Sequence, residues 1–189
     1  MNKALFLDRD GVINVERGYL YRQEEFEFID GIFEVCHSAA ALGYLLLVVT
    51  NQAGIARGYY TEADFLRVTE WMIQEFRRRN ITIAKVYYCP YHLDGIGMYR
   101  RDSPDRKPKP GMLLRATQEF RLDPASSVLI GDKLSDIHAA EAAGIGTRIW
   151  LRPRGDGFDA LAPGCHVVED LHGIRKQFFA SPTVESRAS

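Results

Sequence analysis

Cysteine is scarce in this chain of 189 residues. Cys36, Cys89 and Cys165 are an odd set without the spacing of a disulfide framework, so they are expected to be reduced bystanders in the core or at the surface. Long apolar runs are missing as well. No stretch approaches the length that spans a bilayer, and the opening Met1-Asn2-Lys3-Ala4 lacks a secretory apolar region followed by a cleavage site, so no membrane contact and a cytoplasmic location are expected. Nor does charge of one sign prevail: a net charge of −1 gives no global pull toward nucleic acid or an acidic surface. An anionic ligand must then be held by a few local cations, which favours a small molecule over a polymer. What the chain does have is apolar content of 46%, enough for one well-filled core and too little length for two. A single, monomeric domain over residues 1–180 is expected, with 181–189 too poor in apolar side chains to pack and therefore a disordered tail.

Short apolar runs recur, and each stops at a polar cluster. Ala4-Leu5-Phe6-Leu7 ends at Asp8-Arg9-Asp10-Gly11, Tyr44 to Val49 ends at Thr50-Asn51-Gln52, Ala84 to Cys89 precedes a Gly- and Pro-rich loop from Pro90 to Lys109, and Ser127 to Ile130 ends at Gly131-Asp132. Near-continuous apolar runs of this length read as strands buried on both faces of a parallel sheet. Thr147 to Leu151 reads as a fifth strand and His166-Val167-Val168 as a sixth. Helical spacing fills the gaps: Ile32 to Ala41 closed by Gly43; a helix opened by Thr61 with Phe65, Val68, Met72 and Phe76 inward; a helix starting at Pro110 with Met112, Leu113, Ala116 and Phe120 inward; a small-residue helix ending at Gly144; and a last helix from Leu171 to Phe179. Arg77-Arg78-Arg79 reads as the solvated end of its helix, favoured there by the helix dipole. The alternation implies right-handed crossovers and an α/β three-layer sandwich with a central parallel sheet, Rossmann-like, with a small or absent cap. Ligands of such sheets lie at the carboxyl ends of the strands, where these polar clusters fall.

Cleaving a phosphate ester needs a nucleophile, screening of the phosphoryl oxygens and a proton for the leaving oxygen. Asp8 suits in-line attack, and Asp10, two residues on, suits protonation of the leaving oxygen and then activation of water. Thr50 would donate its hydroxyl to a phosphoryl oxygen with the Asn51 amide beside it, and Lys107 would offset the repulsion between a carboxylate and an anionic phosphate. Mg²⁺ takes oxygen ligands and keeps several waters, so the Asp8 carboxylate, the Asp10 main-chain carbonyl and Asp132 form a sufficient protein set. Asp136 stays open: a ligand through water, an orienter of Lys133, or an acid on the helix surface.

Asp8-x-Asp10, Thr50-Asn51, Lys107 and Gly131-Asp132 with Asp136, in this order, resemble the four motifs of the haloacid dehalogenase superfamily, over about residues 3 to 152. The resemblance implies that superfamily's fold, an aspartyl-phosphate on Asp8, and Mg²⁺. Longer stretches, Asp8 to Asn14, Phe28 to Gly31, Thr50 to Gly58, Arg106 to Met112 and Gly131 to Lys133, resemble the D-glycero-D-manno-heptose 1,7-bisphosphate phosphatases and the related histidinol-phosphate phosphatases. That family removes the 7-phosphate of a heptose bisphosphate on the way to nucleotide-activated heptose for surface polysaccharides such as lipopolysaccharide. By position, Glu16, Arg17, Gly18, Tyr19, Asn51, Gln52, Ala53, Arg106 and Lys133 would contact a small phosphorylated sugar; Arg106 and Lys133 suit a second phosphate or sugar hydroxyls.

The chain departs from the family at one loop. Many members carry zinc there on Cys-x-His followed by Cys-x-Cys; this chain has Tyr91 where that histidine stands, and Ser103 and Asp105 in place of the later cysteines. Cys89 with the adjacent His92 falls short of the four N or S ligands of a structural site, so zinc is expected to be absent. His37, His138, His166 and His172, like Trp71 and Trp150, read as structural. The competing substrates are histidinol phosphate and a nucleic-acid 3′-phosphate; the latter would need a basic groove that a near-neutral chain does not advertise. A fold retained without activity is opposed by the intact Asp8, Asp10, Lys107 and Asp132.

Overall fold

The computed structural model of the chain describes residues 1–152 and 163–180, so the expectation of a disordered tail lies outside the described residues. Within them, β1 (Lys3–Leu7), β2 (Tyr44–Asn51), β3 (Ile83–Cys89), β4 (Val128–Gly131), β5 (Thr147–Leu151) and β6 (Cys165–Val168) form one sheet. All five pairings are parallel, in the order β3-β2-β1-β4-β5-β6. Helices α1 (Ile32–Ala41), α2 (Ala53–Ala56), α3 (Glu62–Arg77), α4 (Gly111–Phe120), α5 (Leu134–Ala142) and α6 (Leu171–Phe178) complete it.

Alternation along the central strands explains the layers. On β1, Leu5 and Leu7 pack into one core while Ala4 and Phe6 pack into another; on β2, Leu46 and Val48 join the first and Leu47 and Val49 the second. Successive side chains of a strand point to opposite faces, so a run apolar at every position must be covered twice. Each fully buried leucine or phenylalanine contributes about 1.5–3 kcal/mol over an exposed one, and these sit at 0–1% exposure. The expected three-layer α/β arrangement is therefore the one observed. Among the described residues, no helix is long and apolar enough to cross a membrane.

Boundaries follow local chemistry. Thr61 caps α3 reciprocally with Asp64, its hydroxyl accepting from the Asp64 N–H while the Asp64 carboxylate accepts from the Thr61 N–H. Arg77, Arg78 and Arg79 are exposed at the other end of that helix. The single turn at Gly97–Tyr99 stands in the loop expected from Pro90 to Lys109, and the short α2 and the turn at Gln23–Glu25 stand in stretches given no element; three- and four-residue turns carry too little periodicity to be read from sequence.

The direction of chain progression reverses between β1 and β4, which lie side by side at the sheet's centre. Such a switch point opens a crevice beyond the strand ends. Asp8 follows β1 there, its N–H donating to the Ile130 carbonyl of β4 at 3.0 Å.

Candidate active site

Two glycines let the carboxylates converge. Gly11 has φ +88°, and a Cβ on it would lie 2.2 Å from Asp132 Oδ2; a Cβ on Gly131 would lie 2.3 Å from that of Asp136. Any larger residue at either place would push an acid away. Potential ligand atoms of Asp8, Asp132 and Asp136 consequently all lie within 4.8 Å of one another, the one such group of three or more among the described residues. Asp132 Oδ1 is buried without a hydrogen-bond partner. An orphaned carboxylate oxygen in a cluster of three carboxylates fits a hard, oxygen-seeking cation such as Mg²⁺. Burial raises the Asp132 pKa to about 6, and burial likewise raises Asp8 to about 7 against the pull of Lys107.

Lys107 stands beneath the acids, 3% exposed. Its ammonium pairs with Asp8 Oδ1 at 3.0 Å and Asp136 Oδ1 at 2.6 Å and donates to the Val49 carbonyl at 2.7 Å, so two carboxylates and a carbonyl surround the charge. Burial disfavours that charge, but Asp136 and Asp8 more than offset it and its pKa is raised. Asp136 therefore is not an acid on the helix surface: at 1% exposure it anchors Lys107 through one oxygen and accepts the Lys133 main-chain N–H through the other, at 3.0 Å, capping α5. It touches the backbone of Lys133 rather than orienting its ammonium.

Lys107 comes from a loop with no regular structure, and Asn51 fixes it. The Asn51 amide donates to the Lys107 carbonyl at 3.0 Å and accepts the Lys107 N–H at 3.1 Å. At the loop expected to lack a zinc set, Cys89 is buried beside Tyr91 and Ser103, and burial pushes its thiol pKa up. Ser103 accepts the Asp105 N–H, Asp105 pairs with Arg115 at 3.1 Å, and His92 Nδ1 accepts the Asp94 N–H at 3.0 Å. These groups are engaged within the loop and, through Asp105, with α4.

Around Asp10 lies a network that the sequence reading did not contain. Arg9, 1% exposed, sets its guanidinium on both Asp10 oxygens at 3.0–3.3 Å and on the Leu20 carbonyl at 3.2 Å. Asn14 donates to Asp10 Oδ1 at 3.0 Å, and Gln52 donates to Asp10 Oδ2 at 3.0 Å and to Thr50 Oγ1 at 2.9 Å. Thr50 thus accepts one hydrogen bond and keeps its own O–H for a ligand. A sequence signal for Arg9 existed: an arginine between two aspartates at a buried strand end must find a carboxylate or pay for an unpaired charge. Trp150, read as packing, also donates its indole N–H to the Asp132 carbonyl at 2.9 Å.

Asp8, Asp10, Thr50, Asn51, Gln52, Ala53, Lys107 and, at the mouth, Glu16, Gly18, Tyr19, Arg106 and Lys133 line one cavity of about 450 Å³. Lys133 pairs with Glu16 across the mouth at 2.8 Å. Arg17 does not join them; it pairs with Glu27 on the outer surface.

Comparison with known proteins agrees with this geometry. Residues 105–172 match the HAD-hydrolase-like family model. The chain is 54% identical over 154 residues to the D-glycero-alpha-D-manno-heptose-1,7-bisphosphate 7-phosphatase of Burkholderia mallei, covering 81% of this chain and 82% of that one. It is 49% identical over 150 residues to the D-glycero-beta-D-manno-heptose-1,7-bisphosphate 7-phosphatase of Vibrio cholerae, covering 79% and 81%. The crystal structure of D,D-heptose 1,7-bisphosphate phosphatase from B. bronchiseptica, complexed with magnesium and phosphate, superposes with a TM-score of 0.80 at 26% identity, over 93% of this chain and 97% of that one. The chain accordingly belongs to the heptose-bisphosphate phosphatase family of the haloacid dehalogenase superfamily of hydrolases.

Proposed function

We propose that this phosphatase removes the 7-phosphate of D-glycero-D-manno-heptose 1,7-bisphosphate in the cytoplasm, as a step toward nucleotide-activated heptose. The observation that carries the reading is one cavity whose floor holds Asp8, Asp10, Thr50 and Lys107 and whose mouth carries Arg106 and Lys133. A floor for one phosphoryl group and two cations at the rim suit a substrate with two phosphates. Relatives named for both the alpha and the beta anomer support the sugar without choosing between its forms. Three free cysteines suit a reducing compartment.

Asp8 attacks phosphorus in line, the bond from phosphorus to the sugar oxygen breaks, and Asp10 passes its proton to that oxygen. Asp10, now a carboxylate, takes a proton from water as the water oxygen attacks the aspartyl-phosphate; the phosphorus–Asp8 bond breaks, releasing inorganic phosphate and restoring both acids. Thr50 holds a phosphoryl oxygen, and Lys107 keeps Asp8 oriented while lowering its repulsion from the phosphate. Asp8, Asp132 and the Asp10 main-chain carbonyl would hold Mg²⁺, which supplies charge neutralisation of the phosphoryl oxygens. Hydrogen bonds within the loop from Cys89 to Lys107 and the Asn51 amide support a reading in which that loop is held without zinc.

Turnover measured with heptose bisphosphate, histidinol phosphate and a 3′-phosphorylated oligonucleotide, each with and without Mg²⁺, tests the reading. Heptose bisphosphate should be preferred, release should require Mg²⁺, and Asp8→Asn should lower kcat by at least about 10⁴-fold. Preference for histidinol phosphate would move the chain to the neighbouring activity, and full turnover in Asp8→Asn would sink the aspartyl-phosphate route.

A further inference from the structure

Gln52 has no polar atom to spare. Its amide nitrogen serves Asp10 and Thr50, and its amide oxygen accepts the Tyr60 hydroxyl at 2.5 Å, with the whole side chain 2% exposed. An amide can rotate by half a turn and keep its shape, so something must decide which end faces Asp10. The Tyr60 hydroxyl is a donor aimed at the oxygen end. Burial pushes its pKa up to about 12, so it remains a donor throughout the working range of a phosphatase. With that donor in place, nitrogen faces Asp10 and Thr50. With the amide reversed, its oxygen would face the Asp10 carboxylate and the Thr50 oxygen, opposing like partial charges in a site with little water.

Tyr60 is itself seated by the fold. Its ring stacks on Tyr21, with centroids 5.4 Å apart and planes at 13°, and a Cβ on Gly54 would lie 2.2 Å from the Tyr60 ring. The ring thus fills a space that the absence of a side chain at Gly54 leaves open, and it is 7% exposed. Arg9 completes the arrangement by donating to both Asp10 oxygens.

We propose that Tyr60 is a positioning residue: acting through the Gln52 amide, it holds the proton-transferring carboxylate of Asp10 and the phosphate-binding hydroxyl of Thr50 in register with one another. Gln52 is then a tie between two reacting groups rather than a contact for the sugar. The inference rests on the reading of Asp10 as acid and base.

The test is Tyr60→Phe in the full chain with saturating Mg²⁺. The variant keeps the ring and its packing and removes only the donor, and its melting temperature verifies that it folds. On heptose bisphosphate, kcat should fall about tenfold with KM within about twofold, because geometry and not binding is lost. With p-nitrophenyl phosphate, whose phenolate leaves without a proton, first-turnover release of p-nitrophenolate should fall less. In a Gln52→Leu background, Tyr60→Phe should add less than about twofold, since the path runs through the amide. An unchanged kcat in Tyr60→Phe, equal losses on both leaving groups, or full multiplication of the two substitutions would each overturn the proposal. Asp10→Asn, assayed alongside, separates the two failures. Its collapse beside an unaffected Tyr60→Phe would refute the positioning role alone, whereas wild-type turnover in Asp10→Asn would refute the acid-base reading on which that role depends.

Discussion

Two ion pairs of similar length stand at opposite ends of the same cavity. Lys107–Asp136, at 2.6 Å, lies on the floor with side chains 2% and 1% exposed; Lys133–Glu16, at 2.8 Å, lies across the mouth with side chains 53% and 38% exposed. Distance alone would rank them as equals. Water separates them: on the floor neither charge has solvent to fall back on, and at the mouth both do. The floor is accordingly over-determined, with Val49, Asp8 and Asn51 also fixing Lys107, while solvent reaches both Glu16 and Lys133. Under the proposed function, the first kind of site suits chemistry that must not vary, and the second suits recognition of one sugar phosphate among several.

The largest effect should come from breaking the floor. Lys107→Met leaves Asp8 and Asp136 facing one another without their cation. Because removal of one partner of a buried pair costs about 3–5 kcal/mol, denaturant melts should show a loss near that size, with turnover at background. A loss under about 1 kcal/mol would mean that floor and mouth behave alike. Asn51→Ala comes next. It removes both bonds that hold the Lys107 backbone, so kcat should fall by about 10–100-fold with stability lower by about 1–3 kcal/mol. A rise in KM at constant kcat would instead make Asn51 a substrate contact.

The same contrast describes what could be read in the sequence. The floor's backbone elements were legible because a strand buried on both faces must be apolar at every position: Ala4 to Leu7 and Tyr44 to Val49 reveal both the sheet and the place where each polar cluster is presented. Asp8, Asp10, Thr50 and Lys107 are singled out by order and residue type, and the fold brings them to one cavity. The cross-chain ties did not. Asn51 grips a residue 56 positions away, and Asp136 reaches Lys107 across the sheet's end; neither leaves a periodic trace. Asp136 had three open readings because spacing along a helix says which face a residue occupies, not whether that face meets solvent. Arg17 failed in the opposite way, since its place in the chain put it beside Glu16 and Gly18 while Glu27 holds it on the outer surface.

At the mouth, Lys133→Ala should leave stability within about 1 kcal/mol, as half-exposed pairs do. Its pKa is raised, with burial opposed by the Glu16 hydrogen bond and the charges of Asp132 and Glu16, so the ammonium stays charged while either anion is near. Steady-state kinetics should therefore show KM for the bisphosphate raised about tenfold, with kcat little changed. A fall in kcat alone would place Lys133 with the floor.

His172–Asp30 extends the series outward, an ion pair at 2.9 Å with side chains 56% and 92% exposed. The Asp30 hydrogen bond raises the His172 pKa above its ordinary 6.5, and the same bond lowers Asp30 below 3.8. The signs fix the window. A raised histidine stabilises fully below its unfolded value and loses that contribution as pH rises through its folded value; a lowered aspartate stabilises above its unfolded value and loses it as pH falls through its folded one. The pair therefore acts from about pH 4 to somewhat above pH 6.5 and fades on either side. Asp30→Asn should return the His172 imidazole, followed by NMR, to an ordinary titration, with a difference in melting temperature from wild type confined to that window and screened by salt. A difference that persisted at pH 9 would have to come from packing, and burial would then not be what orders the three pairs.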